Sequence, residues 1–261
     1  MHNRRIEMKQ TKIIAISSFT CHGNAGLKPM MTVLTNHLIP VPSIILTATT
    51  NIPGFIKTET DFRTLLKGSL ELCKTLDFDV VLFCGYFYKA DQIDYTLELY
   101  HKYRDIISLV LIDPILGDHD KLYVEKEIMT HIPGLLSIAN IAFPNVKEVA
   151  LLTNINNDLN RNLNDLLIVY PAITLIVKSV KKGRESIGIR ILSNQMKFDY
   201  YHPYIDTNFG GTGDHFISYF IFHHIFKKQN IIKAVKIAAQ NTVKTIKNTV
   251  KKGSKELITN L

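Results

Sequence analysis

Short apolar runs rich in β-branched residues alternate along this chain with longer amphipathic segments. The runs that predict strands are 12–17, 41–47, 80–84, 108–112, 138–142 and 173–178. The segments that predict helices are 27–38, 60–76, 89–103, 147–153, 160–170, 212–226 and 231–250. Strands separated by helix-length segments form βαβ units, which build a mostly parallel sheet between two layers of helices. We therefore predict an α/β protein with three layers in a doubly wound arrangement.

Two further apolar runs, 186–193 and 196–201, lie too close together for a helix between them. Such spacing is typical of an antiparallel hairpin, which we place at one edge of the sheet. Hydrophobic residues make up 46% of the chain and charged residues 21%, an ordinary globular composition. The sequence contains no internal repeat or low-complexity linker, so we predict that residues 1–261 form a single domain.

The cysteines and the apolar segments indicate in which cellular compartment the protein is expected. Cys21, Cys73 and Cys84 are odd in number and too far apart for a C-x-x-C pair, which favours a reducing environment. Residues 1–12 are charged and are followed by only four apolar residues, fewer than a secretory signal needs. The weakly polar stretch 215–226 is too short to span a bilayer. We expect a cytoplasmic protein without a membrane partner.

The net charge of +8 invites a nucleic-acid partner, but the positions of the lysines argue against one. No acidic residue lies between Asp214 and Glu256, a segment rich in lysine. The apolar residues that recur there at helical spacing are Ile231, Val235, Ala238, Ala239, Val243, Ile246 and Val250. The lysines are therefore predicted to lie on the solvated face of an amphipathic helix, and no nucleic acid is expected to bind.

The residues 210–214 read Gly-Gly-Thr-Gly-Asp and precede an apolar helix. Glycines at a helix start let backbone N–H groups approach an anion, and the helix dipole adds to the attraction. Asp214 is placed to accept a proton from an attacking hydroxyl group, so the segment suits phosphoryl transfer to an alcohol. The alternative is a glycine turn in which Asp214 only stabilises the helix start.

Two other segments follow predicted strands and carry carboxylates. Asp113 and Asp118 belong to an Asp-Pro-Ile-Leu-Gly-Asp run, and Asn145 and Glu148 form an Asn-x-x-Glu pattern. Because ligands bind beyond the carboxyl ends of parallel strands, these side chains are expected on one rim, where carboxylates suit Mg²⁺. The alternatives are a simple turn at Asp113 and a helix capping box formed by Asn145 and Glu148.

This ordered set of motifs resembles the ribokinase superfamily, specifically its pyridoxal kinase branch, from residue 13 to about residue 226. The resemblance implies a ribokinase-like fold in which Gly211, Thr212 and Gly213 form an anion hole. It implies that Asp214 is the catalytic base. The Asn-x-x-Glu pattern would be a magnesium and phosphate motif.

Other matches are more particular to kinases of vitamin B6. Ser18 resembles the serine that contacts the pyridoxal ring. Ser43 occupies the position at which the family has a threonine that contacts the substrate. Tyr86 resembles a tyrosine that packs on the substrate, and Gly210 replaces an apolar residue of the site wall. The residues that the resemblance assigns to the nucleotide are Asp113, Asn145, Lys178, Ser179 and Thr212, and those assigned to the metal are Asp113, Asp118 and Glu148.

The expected activity is ATP-dependent phosphorylation of the 5′-hydroxymethyl group of pyridoxal, pyridoxine or pyridoxamine, a small heteroaromatic alcohol. The expected cofactor is Mg²⁺, with K⁺ as a candidate second cation, and the resemblance suggests a homodimer. The first alternative is a hydroxymethylpyrimidine kinase, although those enzymes commonly carry cysteine at the position of Asp214. The second is a non-catalytic vitamin or nucleotide sensor. A P-loop kinase and a nicotinamide enzyme lack their glycine fingerprints here.

Overall fold

The computed structural model describes residues 9–50, 52–118, 121–153 and 158–259. The expectation about residues 1–12 therefore falls partly outside the described residues. The strands are β1 (Thr11–His22), β2 (Leu38–Ala48), β3 (Lys57–Thr58), β4 (Asp79–Cys84), β5 (Ile107–Ile112), β6 (Gly117–Asp118), β7 (Lys121–Leu122), β8 (Ile141–Ala142), β9 (Thr174–Lys182), β10 (Ser186–Ser193) and β11 (Met196–Pro203). The α-helices are α1 (Leu27–Leu34), α2 (Phe62–Thr75), α3 (Ala90–Lys102), α4 (Lys126–Ile138), α5 (Val146–Thr153), α6 (Leu159–Val169), α7 (Thr212–Ile221) and α8 (Ile231–Lys251).

Nine of these strands form one sheet in the order β11-β10-β9-β8-β5-β4-β1-β2-β3. The strands from β9 to β2 in this order pair in parallel. At the two ends of the sheet, β3, β10 and β11 pair in the antiparallel sense. The predicted α/β class and the antiparallel edge hairpin are confirmed.

Helices cover both faces of the sheet because apolar side chains alternate along its central strand. Ile14 and Ile16 of β1 belong to one core cluster with residues of α2, α3, α4 and α6. Ile13 and Ala15 belong to a second cluster with residues of α1, α7 and α8. The period of two residues in a strand directs neighbours to opposite faces, so two cores and three layers result.

The predicted strand at 138–142 was wrong at its start. Residues 126–138 form α4, which the sequence reading left unassigned, and β8 is confined to Ile141–Ala142. Pro133 lies inside α4, where proline removes a helical hydrogen bond. The helix forms because Ile128, Ile132 and Leu136 bury one apolar face against the core.

The boundary between α1 and β2 also differs from the prediction. α1 ends at Leu34, a 3₁₀ turn occupies Thr35–His37, and β2 begins at Leu38. Similarly, α7 ends at Ile221 and passes into a π-helical turn, Phe222–Phe226. Helical periodicity continues through such turns, so the pattern could not show where the α-helix ends.

Most lysines of α8 are exposed, as predicted, but its buried face matches the prediction only in the first half of the helix. Val235, Ala238 and Ala239 are buried as expected, and so is Ala234, which the prediction did not include. Further along, the buried residues are Thr242, Thr245 and Thr249, while Val243 and Ile246 are half-buried and Val250 is 48% exposed. The buried hydroxyls have polar partners: Thr245 Oγ1 lies 3.0 Å from His215 Nε2, and Thr249 Oγ1 accepts from the Ile258 N–H at 3.0 Å.

The structure also shows the state of the cysteines and the character of the helices. Cys21 is exposed, Cys73 and Cys84 are buried, and all three are free thiols. Among the described residues, no helix has both the length and the apolarity to cross a membrane.

Candidate active site

The segment 210–214 forms the turn that begins α7. Gly211 is the residue before the first helical turn, with φ of 81°, and no side chain caps this helix start. Thr212 Oγ1 donates to the carbonyl oxygen of Phe209 at 2.8 Å, which fixes the turn. The amides of a helix start that lacks a side-chain cap attract anions.

Asp214 is buried, being 9% exposed, and its two carboxylate oxygens differ. Oδ2 accepts a hydrogen bond from the backbone N–H of Gly26 at 2.8 Å. Oδ1 is buried and has no hydrogen-bond partner among the residues that the structure describes. Burial raises the pKa of Asp214 to about 7; the Gly26 amide opposes this rise, the Asp113 carboxylate adds to it, and the Lys178 ammonium opposes it. A carboxylate with one oxygen fixed and the other without a partner is suited to accept a proton.

Glycine is required at two positions by close backbone approach. A Cβ on Gly211 would lie 1.7 Å from the carbonyl oxygen of Asn24. A Cβ on Gly26 would lie 2.0 Å from the carbonyl oxygen of Ser18, and its φ is 63°. The loop between β1 and α1 (residues 23–26) therefore packs directly on the turn that holds Asp214, and it can do so only without side chains at these two positions.

Lys178 and Asp113 form a buried ion pair beside this turn. Lys178 Nζ lies 2.5 Å from Asp113 Oδ1, and their side chains are 15% and 3% exposed. A Cβ on Gly213 would lie 3.6 Å from the same Nζ, so the ammonium borders the turn. Burial lowers the pKa of Lys178, but the Asp113 and Glu148 carboxylates raise it more, so the side chain is charged.

Ser179 follows Lys178 and is exposed, with a φ of 61°. A residue other than glycine in this region is uncommon and costs conformational energy. The pairing of β9 with β10 shifts register at the same place, where Val177 pairs with Arg190 and Val180 pairs with Gly188. The strand is thus distorted immediately after Lys178.

Asn145 and Glu148 form the reciprocal contacts of a capping box at the start of α5. The backbone N–H of Glu148 donates to Asn145 Oδ1 at 2.8 Å, and the N–H of Asn145 donates to Glu148 Oε2 at 2.7 Å. Glu148 Oε1 accepts from the N–H of Leu116 at 3.2 Å, and Asn145 Nδ2 donates to the Gly117 carbonyl at 2.9 Å. The capping box that was the alternative for Asn145 and Glu148 is therefore present. The same two side chains also tie α5 to β6, the strand that carries Asp118.

Glu148 is 2% exposed, and burial raises its pKa to about 8. The Lys178 ammonium opposes this rise and the Asp113 carboxylate adds to it. Burial also raises the pKa of Asp113, against the opposing charge of Lys178. Two buried carboxyl groups with raised pKa values thus lie close to the Lys178 ammonium group.

The residues expected to contact a substrate ring lie within β1 and β2 and just after β4. Ser17 is fully buried and its Oγ accepts from the Tyr86 N–H at 3.3 Å. Ser43 is 1% exposed and its hydroxyl donates to the Tyr86 carbonyl at 2.6 Å, so it fixes the Tyr86 segment. Ser18 is half-buried, and its Oγ would lie 2.7 Å from a Cβ on Gly26, next to the amide that holds Asp214.

The remaining predicted positions lie on the same rim. Tyr86 is half-buried and its hydroxyl donates to the Tyr123 carbonyl at 3.3 Å. Gly210 is exposed, and the nearest atom to a Cβ there would be Thr49 Cγ2 at 3.9 Å. The sequence did not indicate the bond between Gly26 and Asp214, since its partners are 188 residues apart. The spacing of Gly23 and Gly26 in the loop after β1 was the one sequence signal that pointed to this contact.

The doubly wound sheet and the position of this site beyond its strands define a ribokinase-like protein. The sequence model of the phosphomethylpyrimidine kinase family matches residues 57–260, and the chain belongs to this family. The crystal structure of pyridoxal kinase from Entamoeba histolytica is similar, with 27% identity and a TM-score of 0.85 over 97% of this chain and 93% of that chain.

Two further pyridoxal kinases are similar to this chain. The one from Dictyostelium discoideum is 28% identical over 155 residues, which is 56% of this chain and 51%, about half, of that protein. The one from Leishmania donovani, in complex with ADP and pyridoxine, shares the fold with 20% identity and a TM-score of 0.80 over 95% of this chain and 90% of that chain. Together with the family match, the resemblance to the pyridoxal kinase branch is confirmed.

The side chains of the site also show how a divalent metal could be held there. Within the described ranges, no group of three or more His, Cys, Asp or Glu side chains is arranged to hold a metal ion. Mg²⁺ commonly takes only one or two protein carboxylates and keeps waters and substrate phosphates as its other ligands. The buried pair of Asp113 and Glu148, whose charges act on each other, fits a metal held in this way.

Proposed function

We propose that this protein is an ATP-dependent kinase that phosphorylates the 5′-hydroxymethyl group of a vitamin B6 vitamer. The observation that carries the proposal is the buried Asp214 carboxylate, whose Oδ1 has no partner although Oδ2 is held by Gly26. The family membership and the similarity to pyridoxal kinases support the same reaction class.

In the proposed reaction, Asp214 Oδ1 accepts the proton of the substrate alcohol. A primary alcohol is a weak nucleophile at neutral pH, so proton removal assists the new bond between its oxygen and phosphorus. The bond from phosphorus to the ADP leaving group breaks as that bond forms. The Gly26 amide keeps Asp214 in one orientation during the transfer.

The charge of the transferring phosphoryl group is proposed to be stabilised by the start of α7. The amides of Gly211, Thr212 and Gly213 lie at the start of α7, where the helix dipole favours negative charge. The Lys178 ammonium borders Gly213 and adds a full positive charge. Because these groups are already in place, little reorganisation is needed in the transition state.

The donor side of the site is proposed to involve Asp113, Asn145, Lys178, Ser179 and Thr212 as nucleotide-binding residues. Asp113, Asp118 and Glu148 would hold or orient Mg²⁺, which neutralises charge on the donor phosphates when bound. Asn145 keeps Glu148 and the Gly117 carbonyl in fixed positions. K⁺ remains a candidate second cation.

The acceptor ring is proposed to lie against Ser18 and Tyr86, with Ser43 holding the Tyr86 segment. Gly210 leaves room beside the turn, since its nearest side-chain neighbour is Thr49. We further propose that residues 1–261 form one kinase domain, acting in the cytoplasm as a homodimer.

The second candidate is a hydroxymethylpyrimidine kinase. It is supported by membership of the phosphomethylpyrimidine kinase family. An ADP-release assay with pyridoxal, pyridoxine, pyridoxamine and hydroxymethylpyrimidine separates the two, with Asp214→Asn as the control for contaminating kinases. We expect turnover of at least one B6 vitamer. Turnover of hydroxymethylpyrimidine alone would assign the chain to the second candidate.

A further inference from the structure

The C-terminal segment (residues 254–259) folds back onto the end of α8. The Ile258 N–H donates to Thr249 Oγ1 at 3.0 Å, and the Ser254 hydroxyl donates to the Glu256 carbonyl at 2.6 Å. Leu257 is fully buried and Thr259 is 5% exposed. This segment therefore has a defined path, although it forms no helix or strand.

Two side-chain hydrogen bonds join this segment to loops near the candidate active site. Asn24 Nδ2 donates to the Leu257 carbonyl at 2.6 Å, across 233 residues of sequence. Thr49 Oγ1 donates to Glu256 Oε1 at 3.2 Å, across 207 residues. Thr49, which follows β2, is 4% exposed and Glu256 is half-buried, so the second bond is partly shielded from water.

The loop at residues 23–26 thus contacts both the C-terminal segment and the catalytic turn. A Cβ on Gly23 would lie 2.7 Å from Glu256 Oε2, so the Glu256 carboxylate packs on the loop. The Asn24 carbonyl packs on Gly211, and the Gly26 N–H donates to Asp214. A displacement of this loop would disturb the orientation of Asp214 and the shape of the anion-binding turn together.

We propose that the C-terminal segment holds the loop at residues 23–26 in its catalytic arrangement, with Asn24 and Glu256 as positioning residues for phosphoryl transfer. The proposal rests on the proposed function, since it assigns Asp214 and the turn to the transfer step. Neither Asn24 nor Glu256 contacts the reacting atoms; both act through the backbone of the loop.

Kinetics of matched variants test this role. We expect Asn24→Ala and Glu256→Ala each to lower kcat about threefold to tenfold, as the loss of one hydrogen bond predicts. The KM for ATP should change by less than about twofold, because the carboxylate and lysine groups assigned to the donor side are untouched. Glu256→Gln keeps an acceptor for Thr49 and should restore most of kcat, whereas Lys255→Ala, an exposed position in the same segment, should equal wild type.

A double-mutant cycle isolates the bond between Thr49 and Glu256. Thr49→Val removes the donor, so combining it with Glu256→Ala should add little to the loss caused by either change alone. If the kcat loss of the double variant equals the product of the two single losses, the two residues act independently. That result would contradict a shared role.

Hydrogen exchange of the loop gives a readout that does not need activity. Amides of the peptide covering residues 19–27 should exchange faster in Asn24→Ala and Glu256→Ala than in wild type or Lys255→Ala. If wild type turns over no candidate substrate, the proposed function fails while exchange still tests the contact. If the enzyme is active and exchange rises without a fall in kcat, or if neither changes, the positioning role is refuted.

Discussion

The turn at residues 210–214 and the cluster of Asp113, Glu148 and Lys178 are both buried and charged, yet they are built differently. In the turn, the backbone supplies the polar groups, and no described residue forms a hydrogen bond with Asp214 Oδ1. In the cluster, Asp113 is paired with Lys178, and both oxygens of Glu148 accept backbone N–H groups. One region has an unmet hydrogen-bonding capacity, whereas the other compensates its own charges.

This difference indicates separate tasks for the two regions. A buried acceptor without a partner costs free energy that a bound substrate hydroxyl group can recover. A self-compensated cluster is stable without ligand and changes its ion pairing when a polyanion or a cation arrives. We therefore propose that the turn carries the chemical step and that the cluster places the donor.

The largest expected effect is that of Asp214→Asn, which keeps the shape of the side chain and removes the base. Turnover should fall at least about a hundredfold, the loss typical of a missing general base. Nucleotide affinity, measured by calorimetry, should change little because the cluster is intact. Wild-type turnover in a variant with unchanged circular dichroism would refute the role of Asp214.

Gly211→Ala tests whether the backbone of the turn matters. Its Cβ would lie 1.7 Å from the Asn24 carbonyl, so the turn or the loop must move, and we expect turnover to fall about thirtyfold or more. Gly183→Ala is the matched control, because Gly183 also has a positive φ, 68°, but nothing lies within 4 Å of its Cβ. Equal losses in the two variants would show that backbone strain alone is responsible.

The pH dependence of kcat/KM separates the two regions by their pKa values. Asp214 accepts a proton only when ionised, and since burial raises its pKa to about 7, activity should fall about tenfold per pH unit below that value. The pKa of Glu148 is raised to about 8, so this residue adds a second limb to the pH profile of kcat/KM if the reaction needs its negative charge. His215 does not contribute, since burial lowers its pKa to about 4.

A profile from about pH 5 to about pH 9 in wild type and Glu148→Gln assigns the limbs. The variant should lose the limb near the Glu148 value and keep the one near the Asp214 value. A profile without any limb near neutral pH would contradict the assignment of Asp214 as the base.

Glu148→Gln should also lower turnover about tenfold and weaken the dependence on Mg²⁺, because it removes a carboxyl group that can ionise when a cation binds. The amide retains one acceptor for the two backbone N–H groups that Glu148 now satisfies. Thermal unfolding monitors any loss of the helix cap. An unchanged Mg²⁺ titration with lowered stability would restrict Glu148 to capping.

The smallest effect is expected for Ser18→Ala, which removes one neutral hydrogen bond to the ring. Such a bond contributes roughly 0.5–1.5 kcal/mol, so kcat/KM for the vitamer should fall about tenfold or less. Its KM for ATP should not change. A larger effect on ATP than on the vitamer would move Ser18 to the donor side.

Local patterns determined the layers of the fold and several site positions from the sequence. The alternation of Ile13, Ile14, Ala15 and Ile16 places residues on two faces of β1, and the spacing of Asn145 and Glu148 is that of a capping box. These features depend on strand and helix periods, which a short segment carries by itself.

Tertiary packing decided the features that depend on distant partners. Pro133 lies within a helix because the apolar face of α4 is buried, and Thr245 of α8 is buried where its hydroxyl meets His215 Nε2 at 3.0 Å. The Gly26 amide meets Asp214, and Lys178 meets Asp113, over 188 and 65 residues of sequence. The residue types of the site were thus predictable from the sequence. The partner of each carboxylate was not, because long-range hydrogen bonds and burial leave no periodic signal in the chain.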